Sequence, residues 1–232
     1  MIVPRLDSDD FPAESASPGM PAEHAILGLL ALSETGAGHG YDLARQFSPE
    51  AQLGNVVRLE PGMVYHHLKK LERLGWVTVV PDAAPGRTAR RLFALSAAGQ
   101  SELERWLSEP VAHTREIRLD FLVKLYLAFL LDPSLALRLV EEQRERCFRL
   151  VEMLASRLHG ASDDGRTGEG AARFGEMVLD MRLAQTRAAL AWLDRVGSEA
   201  AAIVESQSAK HRAIGDSPIE GEDARGWPHD RT

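Results

Sequence analysis

The chain has 232 residues, 44% of them hydrophobic, and a formal net charge of −7. That length and apolar content supply a core for one domain or two small ones and exclude wholesale disorder. The acidic balance excludes a protein that coats nucleic acid over its whole surface and leaves room only for a local basic face. Cys147 is the one cysteine, so no intrachain disulfide can form. The longest apolar run, FLVKLYLAFLL, is interrupted by Lys124 and falls short of the roughly 20 residues that cross a bilayer. No basic start followed by an apolar run marks a secretory signal, so the expected compartment is the cytoplasm, with no membrane partner.

In chain order, residues 1–20 hold three prolines, three aspartates and scattered serines without an apolar period, which predicts a disordered arm. EHAILGLLALSE predicts a buried helix, stopped by the glycines of TGAGHG, and YDLARQFS predicts a short second helix. PGMVYHHLKKLERLG predicts a third. Pro61 suits its first turn, Val64, Leu68, Leu71 and Leu74 form its apolar stripe, and Gly75 ends it. Met63, His66, Lys69, Lys70 and Arg73 lie largely away from that stripe. WVTVV and RRLFAL read as short strands joined by the loop PDAAPGRTA. Three helices and a hairpin in this order make a winged helix-turn-helix.

Beyond the hairpin, Ser96 is placed to cap a helix over AAGQSELERWL, closed by Pro110. EIRLDFLVKLYLAFLL continues as helix, and Asp132 with Pro133 opens another over PSLALRLVEEQRERCFRLVEMLASRL. GASDDGRTGEG breaks the pattern before a last long helix over ARFGEMVLDMRLAQTRAALAWLDRV. The expected fold is mainly α with a small β-hairpin wing. A winged helix-turn-helix domain over 21–110 precedes an α-helical dimerisation and effector domain over 111–206, with a flexible tail over 207–232.

Between Arg58 and Arg91 seven basic residues stand against three acidic ones, in an acidic protein. A helix with one stripe in the core and cations on another suits a duplex groove. Lys69 and Lys70 would neutralise phosphates, while the outward N-terminal residues Gly62, Met63 and His66 would approach base edges. Arg87, Arg90 and Arg91 of the wing would reach the neighbouring backbone. Strand alternation puts Arg91 on the side of Phe93, so Arg87 and Arg90 are expected to matter most. The plainer reading of the lysines is an ordinary solvated helix face; the arginines of the hairpin favour DNA. In the helix over 117–131, Leu119, Leu122, Val123, Tyr126, Phe129 and Leu130 make it more apolar than a solvated helix, which a two-helix dimer seam accounts for. The alternative is that these residues cover the domain's own core.

No glycine-rich phosphate loop, nucleophile elbow or carboxylate pair supports an enzyme, and no cofactor is expected. Adjacent His66 and His67 point about 100° apart on a helix and lack metal-ligand spacing, so no metal site is expected. Cys147 reads as a buried structural cysteine.

Three segments, ILGLLALSETGAGHGYDLARQF, PGMVYHHLKKLERLGWVTVV and RRLFALSAAGQSELERWL, resemble the PadR family of bacterial winged-helix transcriptional regulators over roughly residues 24–108. The region from Glu116 to about Ser206 is similar to the extended C-terminal domain of the larger subfamily. The resemblance implies a homodimer on a palindrome-like operator in double-stranded DNA, acting as a repressor. It assigns Tyr65 and Lys69 to DNA contacts and Tyr41 to a backbone contact or to packing. The chain departs from the pattern at Glu60, where Ser or Thr is usual, and at Met63, where Thr is frequent. Some PadR-like regulators respond to phenolic compounds. Trp106, His113, Arg115, Arg118 and Tyr126 offer aromatic faces and cations to a small aromatic ligand near the domain junction, although Trp106 and Tyr126 equally suit packing there. The competing readings are a MarR-type regulator and a helical interaction module that does not bind DNA.

Overall fold

A computed structural model describes residues 21–81, 91–161 and 169–215. The expected N-terminal arm, the wing tip with Arg87 and Arg90, and the tail beyond residue 215 lie outside them. The first half runs α1 (Pro21–Ala31), β1 (Ala37–His39), α2 (Gly40–Arg45), α3 (Pro61–Arg73), β2 (Val77–Pro81), β3 (Arg91–Leu95) and α4 (Ala97–Ser108). Helix α1 is apolar nearly all round, and such a helix needs cover on every side. It has that cover from α3, α4, β3 and a later helix, and Ala25, Ile26, Leu27 and Leu30 lose all exposure.

Strand β1 falls in the glycine-rich stretch read above only as a helix stop. Its three residues carry no local strand pattern. They pair because β3 presents an edge, with Ala37 opposite Ala94 and His39 opposite Leu92, giving an antiparallel sheet in the order β1-β3-β2. Gly75, at φ +72°, turns the chain out of α3. Leu74, expected in the buried stripe, is exposed, because it sits at the C-cap where the helical period has ended. Ser96 caps α4 as expected: its hydroxyl accepts from the Gly99 N–H (3.0 Å) and donates to the Gly75 carbonyl (2.6 Å).

The second half begins with the single turn α5 (Thr114–Glu116) and a π-helical turn over Ile117–Phe121. It continues with α6 (Leu122–Leu131), α7 (Pro133–Ala161) and α8 (Glu169–Gly215). The helix expected over 116–131 is thus broken by a wide turn. Ile117, Phe121, Leu125 and Ala128 line a core shared with α7 and α8, whereas Val123 and Leu127 belong to the core of the winged half. Helix α6 is therefore held from both sides, and the expected boundary at residue 110 is not a gap between cores. A Cβ on Gly28 would lie 2.4 Å from Leu127 Cδ1, so the Leu127 side chain of α6 packs directly on the α1 backbone and would have to move for any larger residue there.

Helices α7 and α8 pair along a seam with alternating three- and four-residue steps. On α8 it comprises Leu183, Thr186, Leu190, Leu193, Gly197 and Ala200; on α7 it takes in Ala136, Val140, Gln143 and Cys147. Helix α8 continues through 207–215, where a flexible tail was expected, since no proline or glycine interrupts it between Gly197 and Gly215.

Candidate nucleic-acid interface

Helix α3 buries Val64, His67, Leu68 and Leu71 and turns Gly62, Met63, Tyr65, His66, Lys69 and Arg73 outward. Glu60 is its N-cap through the backbone: its carbonyl accepts from the Met63 N–H (2.8 Å), and its side chain makes no capping bond. The first turn is open to solvent, and a Cβ added at Gly62 would meet nothing within 4 Å. Tyr65 is seated differently. A Cβ on Gly40, the first residue of α2, would stand 2.6 Å from its ring, so the His-Gly-Tyr motif clears a place for the Tyr65 ring while leaving that side chain 44% exposed. Tyr41, next in that motif, is 68% exposed and is not a packing residue.

The structure separates the two lysines that the sequence paired. Lys69 faces solvent, but one step of about 100° turns Lys70 toward α1. There its Nζ lies 2.7 Å from Glu23 Oε1, and the same oxygen is 3.2 Å from His67 Nδ1. Lys70, expected to meet phosphate beside Lys69, thus has its ammonium paired with a buried carboxylate, while its side chain stays 36% exposed. Arg91, at the first residue of β3, is exposed and stands 3.9 Å from Glu72 Oε1, an exposed pair of little energetic weight. Phe93, on the same side by alternation, is buried. Glu23 is the residue that sequence reasoning missed. An acid inside PAEHAILGLLA signals that a basic partner must cover it, but nothing local says which one.

At the junction, Trp106 stacks on His24 with ring centroids 4.4 Å apart, and Lys124 Nζ stands 4.7 Å from the Trp106 ring centre. Lys124 donates to the carbonyls of Trp106 (2.5 Å) and Glu109, filling the orphan acceptors at the end of α4. Burial pushes its pKa down to about 8. His24 Nε2 meets Glu102 Oε1 at 2.9 Å; burial outweighs that bond and depresses the imidazole pKa. Burial would raise the Glu102 pKa, but bonds from Arg105 and His24 hold it below the usual range. Of the expected effector residues, Trp106 is consumed by this stack. Tyr126 packs half-buried on the winged core, the His113 N–H donates to Glu116 (3.0 Å), and Arg115 and Arg118 are exposed.

The dimer-seam expectation also changes. Val123 has no exposed surface and is removed from any seam. Leu122, Tyr126 and Phe129 are half-buried within the chain, and Leu119 and Leu130 are exposed. The larger uncovered apolar side chains are Phe174, Met177 and Met181, at steps of three and four along α8, away from its seam with α7. Cys147 is buried, with its thiol pKa raised by burial. Among the described residues, no helix is long and apolar enough to cross a membrane, and no three His, Cys, Asp or Glu side chains cluster as metal ligands.

Residues 26–105 match the sequence model of the transcriptional regulator PadR-like family, and residues 117–201 match that of the virulence activator alpha C-terminal region. A probable transcriptional regulator of Mycobacterium tuberculosis is 28% identical over 186 residues, covering 76% of this chain and 96% of that protein. The negative transcriptional regulator PadR of Bacillus subtilis is 26% identical over 178 residues, covering 75% and 94%. The crystal structure of the B. subtilis PadR in complex with operator DNA aligns with a TM-score of 0.37 at 23% identity, over 79% of this chain and 99% of that one.

Proposed function

Since the chain belongs to the PadR-like transcriptional regulators, a family of DNA-binding regulators and not of enzymes, we propose that it represses transcription as a homodimer. Each subunit sets one α3 in a half-site of a palindrome-like operator. The observation that carries this reading is the outward row of α3. Gly62 and Met63 offer an open helix start, Tyr65 is braced on Gly40, and His66, Lys69 and Arg73 remain exposed beside it. Lys69 and Arg73 neutralise phosphates, Tyr65 and Tyr41 fix the register of the helix on the backbone, and Met63 and His66 approach base edges. Arg87, Arg90 and Arg91 of the wing add contacts to the flanking duplex. Residues 21–110 form the DNA-reading unit and 111–206 the dimerising unit, acting in the cytoplasm.

Two recognition helices reach successive major grooves only when a dimer holds them about 34 Å apart. The exposed Phe174, Met177 and Met181 face of α8 supports a seam there, joined by Leu119 and Leu130. The negative regulation in the name of the B. subtilis relative supports repression. A small aromatic acid would act at the junction through Arg115, Arg118, His113 and the exposed edge of Tyr126, not through Trp106.

The test is an electrophoretic shift and footprint on the DNA upstream of the protein's own gene. A footprint with two-fold symmetry is expected, and Tyr65→Ala or Lys69→Ala should weaken it at least tenfold. A symmetric footprint unmoved by both substitutions would take α3 out of the groove, and no shift at all would remove the operator.

A further inference from the structure

Glu23 is 1% exposed, on a helix otherwise packed with apolar side chains, and one of its oxygens, Oε1, receives both Lys70 and His67 of α3. The other oxygen, Oε2, has no hydrogen-bond partner, and neither does His67 Nε2. A buried carboxylate with an unmatched oxygen is a poor way to stabilise a fold, since apolar side chains of similar volume hold two helices together at least as well. What the arrangement does provide is direction. It ties α3 to α1 at two positions three residues apart, 67 and 70, and so sets the roll of the helix about its own axis. It also takes one of two adjacent lysines out of the outward row. Lys70 remains 36% exposed, close enough to the surface to swing outward were the carboxylate not there.

Resting on the proposed seating of α3 in the groove, we infer that Glu23 is a positioning residue for DNA recognition. It withholds Lys70 from phosphate and fixes the face that α3 presents. Lys69 then carries the phosphate contact alone at this point of the helix, which lowers the sequence-independent part of the affinity relative to base reading. A phosphate competes for Lys70 only by stripping a buried carboxylate of its counterion, so the competition favours the protein interior.

The experiment measures binding of the full chain to a 40-base-pair duplex of unrelated sequence across a fourfold range of salt. Each additional phosphate neutralised steepens the slope of log K against log salt by about 0.9, or about 1.8 for a dimer. Glu23→Gln, which keeps the shape and removes the charge, is expected to steepen the slope by that amount and to bind the unrelated duplex more tightly at low salt. Lys70→Gln alone is expected to leave the slope at the wild-type value, and the double substitution E23Q with K70Q should return it there. A merely structural Glu23 would change the melting temperature without this pattern. A slope unchanged by E23Q, or lowered by K70Q alone, overturns the inference while leaving DNA binding intact. Should E23Q fail to fold by circular dichroism, the slope of K70Q decides by itself. A wild-type chain that binds no duplex overturns the DNA-binding reading and this inference with it.

Discussion

Helices α1 and α8 are both rich in alanine and leucine, yet they are treated differently by the fold. Four side chains of α1 have no exposure at all, whereas α8 leaves Phe174, Met177 and Met181 between 52% and 68% exposed. Helix α1 sits among α3, α4, α6 and β3, so each of its faces has a neighbour. Helix α8 packs chiefly along α7, and among the described residues Phe174, Met177 and Met181 on another of its faces stay largely exposed. The winged half thus completes its core with one chain and can spare a polar helix face for DNA. Among the described residues the helical half keeps an apolar face exposed, and the proposed dimer seam is placed there.

The contrast is broken most severely at Leu127, where α6 reaches into the winged core. Leu127→Ala removes a fully buried side chain and should cost roughly 2–5 kcal/mol. Because α6 belongs to both cores, thermal unfolding should remain one transition by far-ultraviolet circular dichroism and by tryptophan fluorescence. Separate transitions would mean that the halves are stabilised independently.

Lys124, buried between α4 and α6, sharpens the comparison through pH. In the unfolded chain it keeps its proton to about 10.5, while in the fold it releases it near 8. Between those values the unfolded state binds more protons, so this group makes stability rise with pH, by up to about 3 kcal/mol. Lys124→Met should flatten the rise between pH 8 and 10. An equally steep rise in the variant would assign it to other groups.

A smaller effect is expected at the uncovered face of α8. Changing Met177 and Met181 together to Lys should weaken the dimer at least tenfold, about 1.4 kcal/mol, with the monomer's helix content kept. Light scattering across a dilution series measures this. A dimer of unchanged affinity would move the seam off residues 174–181.

Much of the winged half was legible because its signals are local. The three- and four-residue steps of Val64, Leu68 and Leu71, Pro61 at the start of α3, Gly75 at its end and Ser96 before α4 each describe a few neighbouring residues, and each falls where the chain placed it. The site was legible in outline for the same reason, since Tyr65, His66 and Lys69 face outward by helical geometry alone. Illegible were β1, whose three residues become a strand only against the edge of β3, and the π-helical turn over 117–121, which re-aims one face of an otherwise continuous pattern.

Amino-acid order alone determined which faces are apolar, where α3 starts and stops and where α4 is capped, and that basic residues outnumber acidic ones between Arg58 and Arg91. Which apolar face is covered, and by what, was decided in three dimensions. Of the residues read as a dimer seam, Val123 is wholly buried in the winged core, Tyr126 packs half-buried on that core and Phe129 on the helical one, and Leu119 and Leu130 stay exposed, while a less conspicuous stretch of α8 is also exposed. The same holds for charge. Lys69 and Lys70 are indistinguishable as neighbours in the chain, but 1.5 Å of rise and 100° of rotation send one to solvent and the other to a carboxylate 47 positions earlier. Periodicity is a property of a segment and can be read from it; burial and ion pairing depend on distances between segments, which exist only once the chain has closed on itself.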